Sequence, residues 1–215
     1  MSTLTRQQAS DAAPGWRYAL GRLHLRVPTP DFASALELVD AIGALAETAG
    51  HHPDLDLRWG LVQVALSSHD AGGVTERDVE LAGQISALLD SRGLTPDHSA
   101  VTVVEVAVDA LDIAAVRPFW AAVLGWGSDR DDAGEIADRA GIGPTVWFQQ
   151  MDAPRPQRNR IHIDVTVAHD EAPARVAAAL AAGGRLVSDE RAPAFWVLAD
   201  PEGNEACVCT WQARD

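Results

Sequence analysis

The stretch Glu47-Thr48-Ala49-Gly50-His51-His52-Pro53 decides how the first half of the chain folds. Gly50 is the residue type that most often adopts the left-handed conformation that ends a helix. Pro53 disfavours the helical conformation at the residue before it. We therefore expect His51 and His52 to lie in an extended turn that directly follows a helix. Because histidine exchanges protons near neutral pH, this turn is a candidate site for acid–base chemistry.

The residues before this turn have the pattern of a strand followed by a long amphipathic helix. Segment 16–27 alternates as a strand or a hairpin does, and Asp31 stands where an N-cap residue is expected. Apolar residues then recur at helical spacing and predict one buried stripe: Phe32, Leu36, Val39, Ile42 and Ala46.

After the turn, the sequence predicts a further strand and a further helix. Segment 57–68 alternates between its two faces, and if the strand continues through His69, that histidine shares a face with Trp59. Thr75 is a candidate N-cap for an amphipathic helix. Asp78 stands three residues later, where a carboxylate completes a capping box.

His51, His52, His69 and Asp78 form the candidate catalytic set of this half. Imidazoles combined with a carboxylate can both donate and accept the protons of one reaction. Two alternatives remain open: structural or surface histidines, and a zinc site. Adjacent histidines lack the i,i+4 spacing that puts two zinc ligands on one helix face. Asp78 caps the helix, orients a histidine, or does both.

Glu47 and Trp59 are the candidate substrate-binding residues of the same half. Glu47 lies near a helix end and fits a local hydrogen bond better than a catalytic role. Trp59 belongs to the core or covers a planar ligand, and the sequence leaves these two interpretations open.

A polar segment, 91–99, divides the chain. It contains a glycine, a proline and few apolar residues, so we expect domains at residues 1–95 and 100–215. The second domain contains an internal repeat. Segments 105–109 and 162–166 are strand-like, each precedes a helix that ends at a glycine, and each helix is followed by further strands.

The repeat predicts two paired modules of strand, helix and further strands, which form a curved sheet with a concave face. Glu105 and His162 take equivalent places on the first strands and are candidate substrate-binding residues. Five of the seven tryptophans lie in this half: Trp120, Trp126, Trp147, Trp196 and Trp211. They suit an apolar pocket, although buried tryptophan is also ordinary core material.

The composition argues against some partners. The formal net charge is -14, and all 17 basic residues are Arg, so we expect no nucleic-acid partner. No apolar run approaches the ~20 residues of a membrane span, and the N-terminal segment lacks the apolar core of a signal peptide. Cys207 and Cys209 are too close in sequence for good disulfide geometry. We expect a reduced, cytoplasmic protein.

Residues 4–90 resemble the pterin-4a-carbinolamine dehydratase family, the 4a-hydroxytetrahydrobiopterin dehydratases. The resemblance is carried by Glu47-x-x-x-His51-His52-Pro53, Trp59, His69 and Thr75-Glu76-Arg77-Asp78, in that order. In the family, the residues matching the three histidines line the pterin pocket, and the residue matching Asp78 supports them. The resemblance implies an α+β fold with an antiparallel sheet and helices on one face, no cofactor, and an oligomer.

Residues 101–212 resemble the glyoxalase-like, often metal-free branch of the vicinal oxygen chelate superfamily. The matching segments are Asp109-x-x-Asp112 through Phe119-Trp120-x-x-x-Leu124-Gly125-Trp126, Asn159-Arg-Ile-His162-Ile-Asp164, and Asp200-Pro-Glu-Gly-Asn-Glu205. The resemblance implies a paired βαβββ domain. Metal ligands in the superfamily come from the positions of Glu105 and His162 and from a last-strand carboxylate. Cys207 stands at that last position here, so we expect no catalytic metal.

Together these features predict an enzyme that dehydrates a 4a-hydroxytetrahydropterin and carries a small-molecule-binding domain with an unknown ligand. The alternative is a metal-free ligand-binding or resistance-type protein, with the first domain as an oligomerisation or interaction module. The three histidines favour the enzyme, because a scaffold does not need an acid–base set.

Overall fold

The computed structural model describes residues 2–127, 134–138, 140–154, 162–167, 169–210 and 212–213. The chain divides into two compact units, Met1–Val103 and Val104–Asp215. Trp211 and residues 159–161, which begin the predicted segment Asn159-Arg-Ile-His162-Ile-Asp164, lie outside the described residues. No helix in the described part of the chain is both long enough and apolar enough to cross a membrane.

The first unit combines an antiparallel sheet with helices. Its elements are α1 (Arg6–Ala12), β1 (Arg17–Ala19), β2 (Arg22–Pro28), α2 (Phe32–Ala49), β3 (Asp54–Arg58), β4 (Leu61–Leu66) and α3 (Glu76–Ser91). The strand order is β1-β2-β4-β3, and every neighbouring pair is antiparallel. This arrangement confirms the predicted α+β class and the predicted antiparallel sheet.

Alternation along β2 and β4 gives the sheet one buried face. The strands contribute Leu23, Leu25, Val27, Val62, Val64 and Leu66 to the core. The helices α2 and α3 contribute Ala35, Leu38, Ile42, Ala46, Leu81, Ala82, Ile85 and Leu89. All of these side chains belong to one core cluster, so both helices cover the same face of the sheet.

Helix α2 begins and ends where its caps predict. The Asp31 carboxylate accepts a hydrogen bond from the Ser34 amide at 2.8 Å, and Gly50 adopts the left-handed conformation with φ 60 and ψ 29. The predicted buried stripe is partly wrong. Phe32 and Leu36 are 47% and 52% exposed, whereas the smaller Ala35 faces the core. The prediction favoured large apolar side chains, whereas the small side chain of Ala35 lies in the core.

The predicted strand 57–68 is also wrong in part, because the chain reverses inside it. Strands β3 and β4 form a hairpin in which Arg58 pairs with Leu61, so Trp59 and Gly60 form the turn. Gly60 has a φ of 71, which a glycine adopts without strain. Strand β4 ends at Leu66, and His69 therefore lies in the following turn and not on the strand.

The second unit contains the predicted repeat. The first module has β5 (Glu105–Ala110), α4 (Ile113–Leu124), β6 (Glu135–Ile136) and β7 (Thr145–Gln150). The second has β8 (Ile163–Thr166), α5 (Ala172–Ala181), β9 (Arg185–Ser188), β10 (Phe195–Ala199) and β11 (Glu205–Cys209). Sheet orders are β5-β7-β6 and β8-β11-β10-β9, with β5–β7 and β8–β11 parallel. Each first strand thus pairs with its module's last described strand.

The Asp200–Asn204 loop joins the two modules of this unit. The carboxylate of Asp200 is fully buried and accepts hydrogen bonds from the Trp120 indole at 3.0 Å and from the Asn204 amide at 2.8 Å. The Glu202 carboxylate accepts from the backbone amides of Leu111 and Asp112 at the start of α4. This acidic loop therefore has a structural role that accounts for its sequence.

Candidate active site

The buried pair of His51 and Asp78 is the centre of the candidate site in the first unit. His51 Nε2 lies 2.7 Å from Asp78 Oδ1. His51 is 8% exposed and Asp78 is fully buried. An ionised carboxylate only accepts hydrogen bonds, so the Nε2 atom carries the proton and donates it. The Asp78 carboxylate thereby fixes the orientation of the His51 ring, and the other ring nitrogen, Nδ1, remains for chemistry.

The second oxygen of Asp78 is held by the start of α3 and by the turn after β4. Asp78 Oδ2 accepts from the Thr75 amide at 2.7 Å and from the Ser68 hydroxyl at 2.8 Å. The Thr75 hydroxyl lies 3.1 Å from the same oxygen and 2.8 Å from the Ser68 hydroxyl. Asp78 therefore completes the capping box and also orients a histidine, the two roles that the sequence left open.

The histidine turn, defined here as residues 68–73, carries His69. The amide of Ser68 donates to the Gly73 carbonyl at 2.9 Å, and the amides of Ala71 and Gly72 donate to the Ser68 carbonyl. His69 is exposed, and its side chain has no hydrogen-bond partner in the described part of the chain. Its imidazole is therefore accessible to a bound molecule.

An ion pair holds the same turn from outside. Asp70 pairs with Arg77 in the first turn of α3. The hydrogen bond from Arg77 is the main cause that lowers the pKa of Asp70. Because the side chain of Asp70 is 68% exposed, solvent screens this pair, and it contributes little to stability.

His52 and Glu47 form a second, exposed pair. His52 Nε2 lies 3.0 Å from Glu47 Oε1, and the two side chains are 62% and 79% exposed. The helical end of α2 and the turn after it bring the two residues together. The local hydrogen bond that the sequence favoured for Glu47 is present.

Trp59 lies away from the histidines. It occupies the tip of the β3–β4 hairpin and is 76% exposed. His51 and His69 flank the other end of that hairpin, about 17 Å away at ~3.4 Å per strand residue. The fold of one chain therefore does not bring Trp59 to the site of His51 and His69, and Trp59 does not belong to the core.

The second unit places other side chains together. His162 Nε2 lies 3.3 Å from Asp164 Oδ1, and the ligand atoms of His162, Asp164 and Cys207 all lie within 4.8 Å of one another. This is the one such group of three or more among the described residues. Glu105, at the start of β5, is exposed and is not part of it. Burial, and after it the hydrogen bond that the thiol donates to the Asp164 carboxylate, raise the pKa of the Cys207 thiol to about 12.

Two family models match this chain. A model described as pterin 4 alpha carbinolamine dehydratase matches residues 1–88, and a model described as glyoxalase-like domain matches residues 105–209. A protein of Acidobacterium capsulatum that carries the dehydratase name is 42% identical over 83 residues, which are 39% of this chain and 90% of that protein. The chain belongs to the pterin-4-alpha-carbinolamine dehydratase family.

A second relative and a solved structure each match about half of the chain. A protein of Mycolicibacterium smegmatis with the dehydratase name is 40% identical over 92 residues, covering 41% of this chain and 98% of its own length. A glyoxalase-related enzyme from Fulvimarina pelagi has a solved structure with 19% identity and a TM-score of 0.42, covering 51% of this chain and 87% of its own. The two family models place the dehydratase family at residues 1–88 and a glyoxalase-like domain at residues 105–209.

Some residues of these sites were missed in the sequence. In the dehydratase unit, Ser68 joins Asp78 through a contact that the chain makes only when folded. In the glyoxalase-like unit, Asp164 could have been found, because residues i and i+2 of a strand share a face and Asp164 stands two after His162. Its register partner on β11 is Cys207.

Proposed function

We propose that the first unit catalyses the dehydration of 4a-hydroxytetrahydrobiopterin, a 4a-hydroxytetrahydropterin, to the quinonoid dihydropterin by histidine acid–base catalysis. The observation that supports this most is the buried His51–Asp78 pair with an exposed histidine on a turn attached to the same carboxylate. Membership of the dehydratase family supports the reaction class.

The reaction needs two proton transfers on adjacent atoms of the pterin ring. The substrate carries a hydroxyl group on C4a and a hydrogen on N5. Elimination breaks the C4a–O and N5–H bonds, forms the C4a=N5 double bond and releases water. One group must give a proton to the departing hydroxyl, and another must take the proton of N5. A well-placed acid or base contributes about 10²–10⁴-fold to such a step.

His51 and His69 take these two roles in our proposal. Neutral His51 accepts the N5 proton on Nδ1, and Asp78 stabilises the resulting positive charge through the hydrogen bond to Nε2. Protonated His69 gives its proton to the departing hydroxyl, and exchange with solvent restores both rings. His52, held by Glu47, contributes to substrate binding.

Two histidine variants test the proposal. We expect His51→Ala and His69→Ala each to slow dehydration at least ~10²-fold, the scale of a lost proton-transfer group, with an unchanged circular dichroism spectrum. The decay of a 4a-hydroxytetrahydropterin is followed by absorbance. His24→Gln is the matched control, because His24 lies on β2 and its ring contacts the Ala19 carbonyl. Rates within a few-fold of the unchanged protein in both variants would rule out the assignment.

We also propose that the second unit binds a small molecule and that Glu105 and His162 are polar contacts for it. The support is positional: both side chains are exposed, and they stand at corresponding places, at the start of β5 and just before β8. Measuring dehydration with the full chain and with residues 1–98 separates the roles. If neither the full chain nor residues 1–98 dehydrates the pterin, the result favours the alternative, a ligand-binding or resistance-type protein with the first domain as an oligomerisation or interaction module.

A further inference from the structure

Ser68 is a buried hydroxyl that the proposed proton transfers do not use. It is 1% exposed, which is unusual for a serine, and it lies two residues after the end of β4. Its neighbour in sequence is His69, and its side chain contacts the carboxylate that holds His51. One residue therefore connects both histidines of the proposed reaction.

The backbone of Ser68 closes the histidine turn. Its amide pairs with the Gly73 carbonyl at 2.9 Å, and its carbonyl accepts from Ala71 at 3.0 Å and from Gly72 at 2.9 Å. With both ends of the turn fixed on Ser68, the position of His69 follows from the position of Ser68.

The side chain of Ser68 attaches this turn to Asp78. Its hydroxyl donates to Asp78 Oδ2 at 2.8 Å, and its oxygen lies 2.8 Å from the hydroxyl of Thr75, which itself lies 3.1 Å from Asp78 Oδ2. The other oxygen of Asp78 accepts the His51 proton. The path from His69 to His51 thus runs through one hydroxyl and one carboxylate, both without contact with bulk water.

The second connection of the turn is weaker. Asp70 and Arg77 form an ion pair, but their side chains are 68% and 31% exposed, and solvent screens such pairs. After loss of the Ser68 hydroxyl, backbone pairing would still close the turn, but its side-chain contact with α3 would be this screened ion pair.

We propose that Ser68 is a positioning residue for dehydration, which sets the distance between the His51 and His69 rings by anchoring the histidine turn to Asp78. The inference rests on the proposed function, because it needs both rings to act on adjacent atoms of one pterin. Proton transfer requires heavy-atom distances of about 2.6–3.2 Å, and a misplacement of about 1 Å costs up to 10²-fold. Ser68 itself exchanges no proton with the substrate.

Ser68→Ala removes the hydroxyl and leaves every proposed proton-transfer group in the chain. We expect a kcat at least about tenfold lower with KM within about twofold, because ring spacing affects the reaction more than binding. Ser68→Thr, which keeps the hydroxyl, restores the rate to within about threefold. Ser67→Ala is the matched control: the Ser67 hydroxyl makes no hydrogen bond within the described residues. A Ser68→Ala protein that is less stable but has unchanged kcat well below its melting temperature would overturn the proposal.

Nuclear magnetic resonance of protein labelled with ¹⁵N-histidine gives a readout that needs no activity. We expect the His51 Nε2 proton to be protected from solvent exchange in the unchanged protein and in Ser67→Ala, and to exchange at least about tenfold faster in Ser68→Ala, with shifted His69 ring signals. If the unchanged protein does not dehydrate the pterin, the proposed function fails while this result still supports the anchoring. Identical His51 and His69 signals in Ser68→Ala would overturn the anchoring whatever the activity.

Discussion

At the scale of single residues, Asp78 connects three parts of the dehydratase unit. Its carboxylate contacts His51 after α2, Ser68 after β4 and Thr75 at the start of α3. The two oxygens have different partners. Oδ1 accepts from His51, whereas Oδ2 accepts from the Thr75 amide and from the Ser68 hydroxyl. Capping and histidine orientation are therefore compatible, because they use different lone pairs of one buried group.

Asp78→Asn should lower both stability and rate. In this variant an NH2 group replaces one carboxylate oxygen. The NH2 group then faces the N–H donor of either His51 or Thr75, and that buried donor is left without an acceptor. Such a loss costs about 1–3 kcal/mol, and we expect the melting temperature to fall by about 4 °C or more. The rate should fall less than in His51→Ala, because the imidazole remains.

Calorimetry and the dehydration assay measure the two effects of Asp78→Asn separately. Asp90→Asn, an exposed position near the other end of α3, is the matched control. A large rate loss with an unchanged melting temperature would show that the cap contributes nothing to stability.

The sequence predicted the placement of His51 and His52 and left open that Asp78 orients a histidine, but it did not predict which histidine Asp78 holds or that Ser68 joins them. Gly50 and Pro53 act on adjacent residues, so their effect is visible in the sequence. The contact of Ser68 with Asp78 forms across a turn and a helix start, and that of His51 spans 27 positions. Local patterns carry no information about which distant donor a buried carboxylate meets.

At the scale of elements, helices were predicted better than strands. Helix α2 begins after Asp31 and ends before Gly50, and α4 ends before Gly125, because caps mark those positions. The hairpin of β3 and β4 was predicted as one strand, because the alternation of side chains continues through Trp59 and Gly60. Their turn lacks the Asn-Gly or Asp-Gly pair that most clearly signals a hairpin.

Glu202 shows how one loop side chain stabilises another element. Its carboxylate accepts from the backbone amides of Leu111 and Asp112 at the N-terminal end of α4, where a negative charge is favourable. Glu202→Ala should destabilise the second unit by about 1 kcal/mol, the usual loss for a helix cap, and leave dehydration unchanged.

Urea unfolding followed by tryptophan fluorescence measures the effect of Glu202→Ala. Glu190→Ala, in an exposed loop after β9, is the control. A free energy of unfolding equal to that of the control would mean that water replaces the Glu202 contact without loss.

At the scale of the whole molecule, we expect the chain to form at least a dimer. The first unit leaves β1 and β3 at the edges of its sheet, and Phe32, Leu36 and Trp59 are about half exposed or more. Open sheet edges and large exposed apolar side chains favour association with another chain. Light scattering at micromolar protein should give a mass of at least twice 22.9 kDa. A mass near that of one chain would contradict this expectation.

The last prediction is that the glyoxalase-like unit purifies without a catalytic metal. The candidate donors are His162, Asp164 and Cys207, and zinc accepts all three atom types. A thiol binds zinc only after it loses its proton, and burial and the neighbouring Asp164 carboxylate, which raise the pKa of the Cys207 thiol, oppose that loss. His162 already uses Nε2 on Asp164, and both side chains are at least half exposed, so little holds them in a coordinating geometry. The donors also lack the last-strand carboxylate of an oxygen-activating site, and they fit such a site poorly.

Elemental analysis of protein purified without chelator should therefore find far less than one metal ion per chain. Stoichiometric zinc, iron or manganese that is lost in His162→Ala and retained in His169→Ala would overturn this conclusion.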